Sequence, residues 1–174
     1  MAVFVALLRA LNVGGNMLSM EDLAACCVEA GFGAPKTYIR SGNVVFTSKL
    51  GEAKVKAALE RQLAEHMGKP IGVHVRTADE LEQALERNPF RDAAPARVVI
   101  MFMDHPVLKK AIGELKIPGR EQVETHGREV FIHYVDGIGD SKLKLPFASQ
   151  GTGRNVNTTG KLLSMARARE LTKA

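Results

Sequence analysis

The feature that most constrains the fold is the order of short apolar runs and amphipathic stretches in the first 76 residues. Val3 to Arg9 is apolar but too brief for a helix, which predicts a buried strand. Ser19 then offers a helix N-cap, Glu21 and Asp22 suit the positive end of a helix dipole, and Leu23, Cys26, Cys27 and Ala30 recur at helical spacing until Gly31. Lys36 to Arg40 and Val44 to Thr47 are β-prone, and Ser41-Gly42-Asn43 between them is hairpin chemistry, because Gly and Asn accept positive φ. Glu52 to Met67 spaces Val55, Leu59 and Leu63 by four among charged neighbours, and Gly68 and Pro70 close it. Ile71 to Arg76 alternates as a strand. The order β-α-β-β-α-β predicts an α+β protein whose N-terminal part is a ferredoxin-like split βαβ unit.

The remaining residues predict a second, smaller α+β part. Thr77-Ala-Asp-Glu is a capping box at the head of a short helix carrying Leu81 and Leu85, and Pro89 lies beyond its end. Arg97 to Met103 reads as an apolar strand, Pro106 to Gly113 as a helix with Pro at its start, and Gln122 to His126 with Glu129 to Val135 as a hairpin around Gly127-Arg128. Residues 136 to 157 read as Gly-rich loop, and Thr158 to Thr172 as a final helix. Two lobes are therefore expected, residues 1–76 and 77–174, packed together as one compact unit. Strand, helix, hairpin and helix recur in the second half. Both a pair of related lobes and a common way of covering a sheet fit that order, and no residue-level repeat decides between them.

Composition narrows the function classes. At 174 residues, with 45% hydrophobic content, the chain can fill one domain core or two small ones. It has no Trp and only two Tyr, Tyr38 and Tyr134, which argues against a surface that stacks many bases. Cys26 and Cys27 are adjacent, so a bridge between them would be strained; two buried thiols in a reducing compartment, the cytoplasm, are expected. No apolar run approaches the roughly 20 residues of a membrane-spanning helix, and the first residues lack a charged leader and fit a strand better than a signal peptide. The formal charge of +5 is local: residues 141–174 hold seven Lys/Arg and one Glu, leaving the rest of the chain at −1. Such a concentration of positive charge attracts anionic partners, unless it is simply a solvated helix face.

Sharp catalytic signatures are missing. His66, His74, His105, His126 and His133 show no zinc-ligand spacing, so no metal and no cofactor are expected. A grouping of His126 and His133 with Asp104, Asp136 and Asp140 is weaker than the reading as ordinary strand and loop residues. Ser41 lacks the strand-to-helix context of a hydrolase nucleophile. Gly14-Gly15 is not followed by a dinucleotide fingerprint. Gly160-Lys161 resembles the end of a P-loop, but Asn155 stands where its first Gly belongs and Leu162 where a Ser or Thr would hold magnesium. An RNA-recognition surface would need spaced aromatics that Arg40 to Phe46 lacks. What remains is a Gly-rich stretch with Arg154, Asn155, Asn157 and Thr158 where a helix begins. Helix N-termini attract anions, and an arginine there adds a bidentate grip; a plain cap by Asn157 or Thr158, with Arg154 paired to an acid, is the alternative.

Three segments carry a resemblance: Ala6-Leu-Leu-Arg-Ala-Leu-Asn-Val-Gly-Gly15, Thr37-Tyr-Ile-Arg-Ser-Gly-Asn-Val-Val-Phe46, and Arg154-Asn-Val-Asn-Thr-Thr-Gly-Lys-Leu162. In this order they resemble the bacterial family called domain of unknown function 1697. The resemblance implies an α+β fold with a ferredoxin-like N-terminal part and no established activity. The chain departs from the family pattern at Ala10, Arg40 and Val156, where Gly, Gln and an aromatic are usual. On these segments the leading expectation is a site for a small anionic ligand, a nucleotide or phosphate ester, built from Arg9, Asn12, Arg40, Ser41, Asn43, Arg154, Asn155, Asn157, Thr158 and Lys161. Nucleic-acid binding through Lys142, Lys144, Arg154, Lys161, Arg167, Arg169 and Lys173 is a second expectation. An enzyme of unrecognised type, using Ser41, Asp22 or a histidine, is a third.

Overall fold

The computed structural model describes residues 1–9, 18–39 and 41–172. They form two units. The first takes in Met1–Leu81 and the described residues from Lys161 onward, and the second spans Glu82–Gly160.

The first unit follows the expected order: β1 (Ala2–Leu8), α1 (Met20–Glu29), β2 (Gly33–Tyr38), β3 (Asn43–Ser48), α2 (Glu52–Met67) and β4 (Val73–Thr77). The sheet runs β2-β3-β1-β4, all neighbours antiparallel, which is the split βαβ arrangement. Local chemistry sets the helix ends. The Ser19 hydroxyl accepts the Asp22 N–H at 3.0 Å. Gly68 ends α2 in the left-handed region at φ 72°, which glycine adopts without a Cβ clash. Strand alternation sends Phe4, Ala6 and Leu8 of β1 to one sheet face, where they meet Leu23, Cys27, Val55, Leu59 and Leu63 of the two helices. Phe32 stacks on Phe46 at 4.4 Å inside this core, so the aromatics that a base-binding sheet would display are consumed by packing.

Helix α3 (Ala78–Glu86) starts at the predicted capping box. Thr77 N–H donates to Glu80 Oε1 at 2.9 Å, and Glu80 N–H donates to the Thr77 hydroxyl at 3.2 Å.

The second unit contains β5 (Val98–Met103), α4 (Lys109–Gly113), β6 (Gln122–His126), β7 (Glu129–His133) and β8 (Gly151–Asn155), in the sheet order β6-β7-β5-β8. This is the same order as in the first unit, with β5, β6, β7 and β8 in the places of β1, β2, β3 and β4. The register matches as well. Val5 stands opposite Val45 on one side and Arg76 on the other; Ile100 stands opposite Phe131 and Arg154. The N–H that follows the paired run donates to the turn in both units, Leu8 to Gly42 O at 2.8 Å and Met103 to Arg128 O at 2.9 Å. The repeat that sequence left undecided is therefore present as topology and register.

Boundaries differ from the sequence reading in both units: β2, read as Lys36 to Arg40, runs Gly33–Tyr38, and β4, read as Ile71 to Arg76, runs Val73–Thr77. The stretch read as loop to residue 157 contains β8, because Gly151 and Gly153 have low strand propensity and conceal a paired strand. Helix α5 (Val156–Thr172) consequently starts two residues earlier than predicted. Helix α4 begins at Lys109 rather than Pro106, because the Val107 backbone is already taken by the hairpin: its N–H donates to Gly127 O at 3.2 Å and its carbonyl accepts the Thr125 hydroxyl at 3.1 Å.

Candidate anion-binding site

The glycines of β8 have a packing task. A Cβ on Gly151 would stand 2.8 Å from Phe102 O and closer still to Met103 Sδ, and one on Gly153 would stand 2.9 Å from Val99 Cγ1. Both glycines admit the neighbouring strand β5, so their presence needs no phosphate. Arg154 between them and the helix is buried, and its Nη1 donates to the Thr152 hydroxyl at 2.7 Å and to Gly153 O at 2.9 Å. Removal from water pushes its pKa down to about 10. Asn155 caps α5, its Oδ1 accepting Thr158 N–H at 2.8 Å. The cap is thus Asn155, two and three residues before Asn157 and Thr158, the residues expected to serve. Asn157 is exposed on the first turn of α5.

In the first unit, Asn43 is buried and its Nδ2 donates to Tyr38 O and to the Ser41 hydroxyl, both at 2.9 Å. Ser41 and Asn43 therefore close the hairpin against itself. The backbone N–H of Arg9 donates to Gly72 O at 2.9 Å, and its Nε lies 3.1 Å from where a Cβ on Gly72 would be, so the arginine stem runs over that glycine. Asn12 and Arg40 lie outside the described residues.

Lys161 has different surroundings. It lines an open groove of about 390 Å³ with Lys36 of β2 and with Ser164, Met165, Arg169 and Thr172 of α5. The helical residues recur at intervals of three and four, so one stripe of α5 presents Lys161, Met165, Arg169 and Thr172 along the groove. No carboxylate lines it, and Lys36, Lys161 and Arg169 have no ion-pair partner among the described residues. Other cations are paired: Arg167 with Asp79 at 2.8 Å and Glu170 at 2.9 Å, Lys56 with Glu60 at 2.9 Å, and Arg120 with Asp136. Sequence reasoning picked Lys161 and, for a different partner, Arg169. It missed Lys36, which reaches the groove only through the sheet, and Ser164 and Thr172, which helical spacing from Lys161 would have revealed.

Two members of the histidine and acid grouping, His133 and Asp136, have partners outside it. His133 Nδ1 meets Gln122 Oε1 at 2.9 Å, and its ring lies 5.5 Å from that of Phe90. Asp136 is held ionised by the Arg120 guanidinium, which lowers its pKa, and Glu121 is held ionised by the Ser141 hydroxyl at 2.6 Å. Among the described residues no cluster of three or more His, Cys, Asp or Glu is arranged to hold a metal ion, and no helix is long and apolar enough to cross a membrane.

The sequence pattern of the family described as "Protein of unknown function (DUF1697)" matches residues 1–131. A solved structure, that of a conserved bacterial protein from Streptococcus pneumoniae, is similar with a TM-score of 0.79 and 26% identity, over 96% of this chain and 99% of that one. The likeness extends beyond the family match into β8 and α5. None of the curated proteins matches the chain.

Proposed function

The chain belongs to the family of proteins of unknown function DUF1697, and from that premise we propose that it binds a small anion, a phosphate ester or nucleotide, with Lys161 at the centre of the site. One observation carries the reading: three cations with no carboxylate partner among the described residues line a groove of about 390 Å³, together with the hydroxyls of Ser164 and Thr172. Like charges gathered in a concavity repel one another, and a bound anion relieves that repulsion. The volume falls within the range of small-ligand sites. Arg154, Asn155, Ser41 and Asn43 support the reading indirectly, by fixing the start of α5 and the end of β2, from which Lys161 and Lys36 project.

A small ligand is favoured over a polynucleotide because Arg154 is buried and Arg167 is engaged by two carboxylates, which shortens the row of cations expected to meet phosphates. We place the protein in the cytoplasm on the ground that Cys26 and Cys27 are unbridged, buried thiols.

Thermal-shift titration with inorganic phosphate and with nucleoside monophosphates tests the site. The midpoint rises with ligand concentration in the native chain, and Lys161→Glu and Arg169→Glu each abolish the rise. An undiminished rise in both variants defeats the reading. Binding seen only with polynucleotides, and falling steeply with salt, transfers these cations to the nucleic-acid reading.

A further inference from the structure

The second unit has a groove of its own. It measures about 530 Å³, and it is lined by two irregular segments, residues 114–118 beyond α4 and residues 142–146. Strand-like alternation explains its chemistry. Leu143 and Leu145 turn toward the core formed by Met103, Val130 and Ile132, which leaves Lys142 and Lys144 exposed on the opposite side and lining the groove. The head of this segment is fixed by Ser141, whose hydroxyl accepts Leu143 N–H at 3.2 Å and donates to Glu121 Oε1 at 2.6 Å. Lys116 contributes a third ammonium group from the facing wall.

Two further facts separate this groove from a patch of solvated lysines. First, Glu114 is the only acid in its lining, and Lys116, Lys142 and Lys144 have no ion-pair partner among the described residues. Second, half of its lining residues are apolar: Leu115, which is half-buried, Ile117, which is 40% exposed, Pro118 and Pro146. Exposed apolar surface beneath unpaired cations complements a molecule that has both an anionic end and a hydrocarbon part.

We propose that the second unit binds a small amphiphilic anion, its phosphate or carboxylate head held by Lys116 and Lys144 and its short apolar body laid against Leu115 and Ile117. The site is separate in residues from the groove that contains Lys161. Lys142 also borders an acidic hollow formed by Glu121, Asp136 and Asp140, so Lys116 and Lys144 are the cleaner residues to test.

The test is calorimetric titration of the full chain carrying Lys161→Glu, which silences the first groove, with inorganic phosphate, hexyl phosphate and hexanol. Hexyl phosphate binds at least about tenfold more tightly than inorganic phosphate, because several methylenes leave water, and hexanol alone binds negligibly. The double variant Lys116→Glu, Lys144→Glu loses hexyl phosphate binding while keeping the native melting temperature. Ile117→Ser removes most of the gain due to the hexyl chain and leaves phosphate binding unchanged, a pattern that general misfolding would not produce. Restoring Lys161 adds back only the phosphate-ester binding of the first groove, so failure of the first groove and failure of this one are read independently. Equal affinity for phosphate and hexyl phosphate overturns the proposal, as does binding that survives the double variant. Co-sedimentation with anionic phospholipid vesicles that needs Lys116 and Lys144, in the absence of hexyl phosphate binding, also overturns it and assigns the lysines to a membrane surface.

Discussion

The two units share a strand order, a register and a buried arginine at the same place in the sheet, yet they cover their sheets very differently. In the first, α1 and α2 lie over β1, β3 and β4 and seal Leu23, Val55, Leu59 and Leu63 at 0% exposure. In the second, the corresponding core has only Met103, Val130 and Ile132 fully buried, and its cover is the five-residue α4 with half-buried Leu143, Leu145 and Phe147. Where α2 stands between β3 and β4, the second unit has turns, irregular chain and a 3-10 turn, Ala148–Gln150, between β7 and β8. The pattern of pairing is thus independent of what covers it. The thinner cover also explains the larger groove: irregular segments leave a gap that a helix would fill.

The contrast predicts the largest effect in the core. Leu59→Ala should cost about 3 kcal/mol in urea unfolding, because a sealed side chain leaves a cavity, whereas Leu145→Ala should cost about 1 kcal/mol, because its surroundings can collapse or hydrate. Equal losses would break the distinction between the covers.

The matched arginines come next. Arg76 Nη1 donates to Val75 O at 3.0 Å as Arg154 Nη1 does to Gly153 O at 2.9 Å, each to the carbonyl just before it. If the two are equivalent, Arg76→Ala and Arg154→Ala should each destabilise by about 2 kcal/mol through lost volume and lost hydrogen bonds, and Met at either position should recover the volume part. A loss confined to one of them would show that the register repeats without the energetics.

Smaller effects test the helix ends. Ser19→Ala and Asn155→Ala each remove one side-chain cap, and each should cost about 1 kcal/mol by chemical denaturation. Similar values place the difference between the units in their cover and not in their helix starts.

A further test is the pH slope due to the buried thiol of the first unit. Burial, followed by the influence of Cys26, pushes the Cys27 thiol from 9.0 up to about 12. Between these values the unfolded chain has released the proton and the folded chain still holds it, so the unfolded state binds fewer protons and stability falls as pH rises through this window. Cys27→Ala should flatten that slope in denaturation midpoints followed from pH 8 to 10. The same burial makes Cys27 slower than Cys26 toward thiol reagents at pH 8.

The sequence by itself determined the elements whose chemistry is local. Ser19, the Thr77–Glu80 box, Gly68 and the four-residue spacing of Val55, Leu59 and Leu63 each act through neighbours within a turn, so α1, α2, α3 and the β-α-β-β-α-β order were legible before any contact was known. Strand β8 was not, because Gly151 and Gly153 mark a close approach of Met103 and Val99, residues about 50 positions away, and a glycine reads the same whether it frees the backbone or makes room. The candidate site divides the same way. Lys161 was visible as a basic residue near a helix start, but its groove depends on Lys36 across the sheet, and the burial of Arg154 depends on its place in β8. Only tertiary structure decides which cations find carboxylates and which are left to meet an anion, because ion pairing is set by distances between segments that sequence order does not encode.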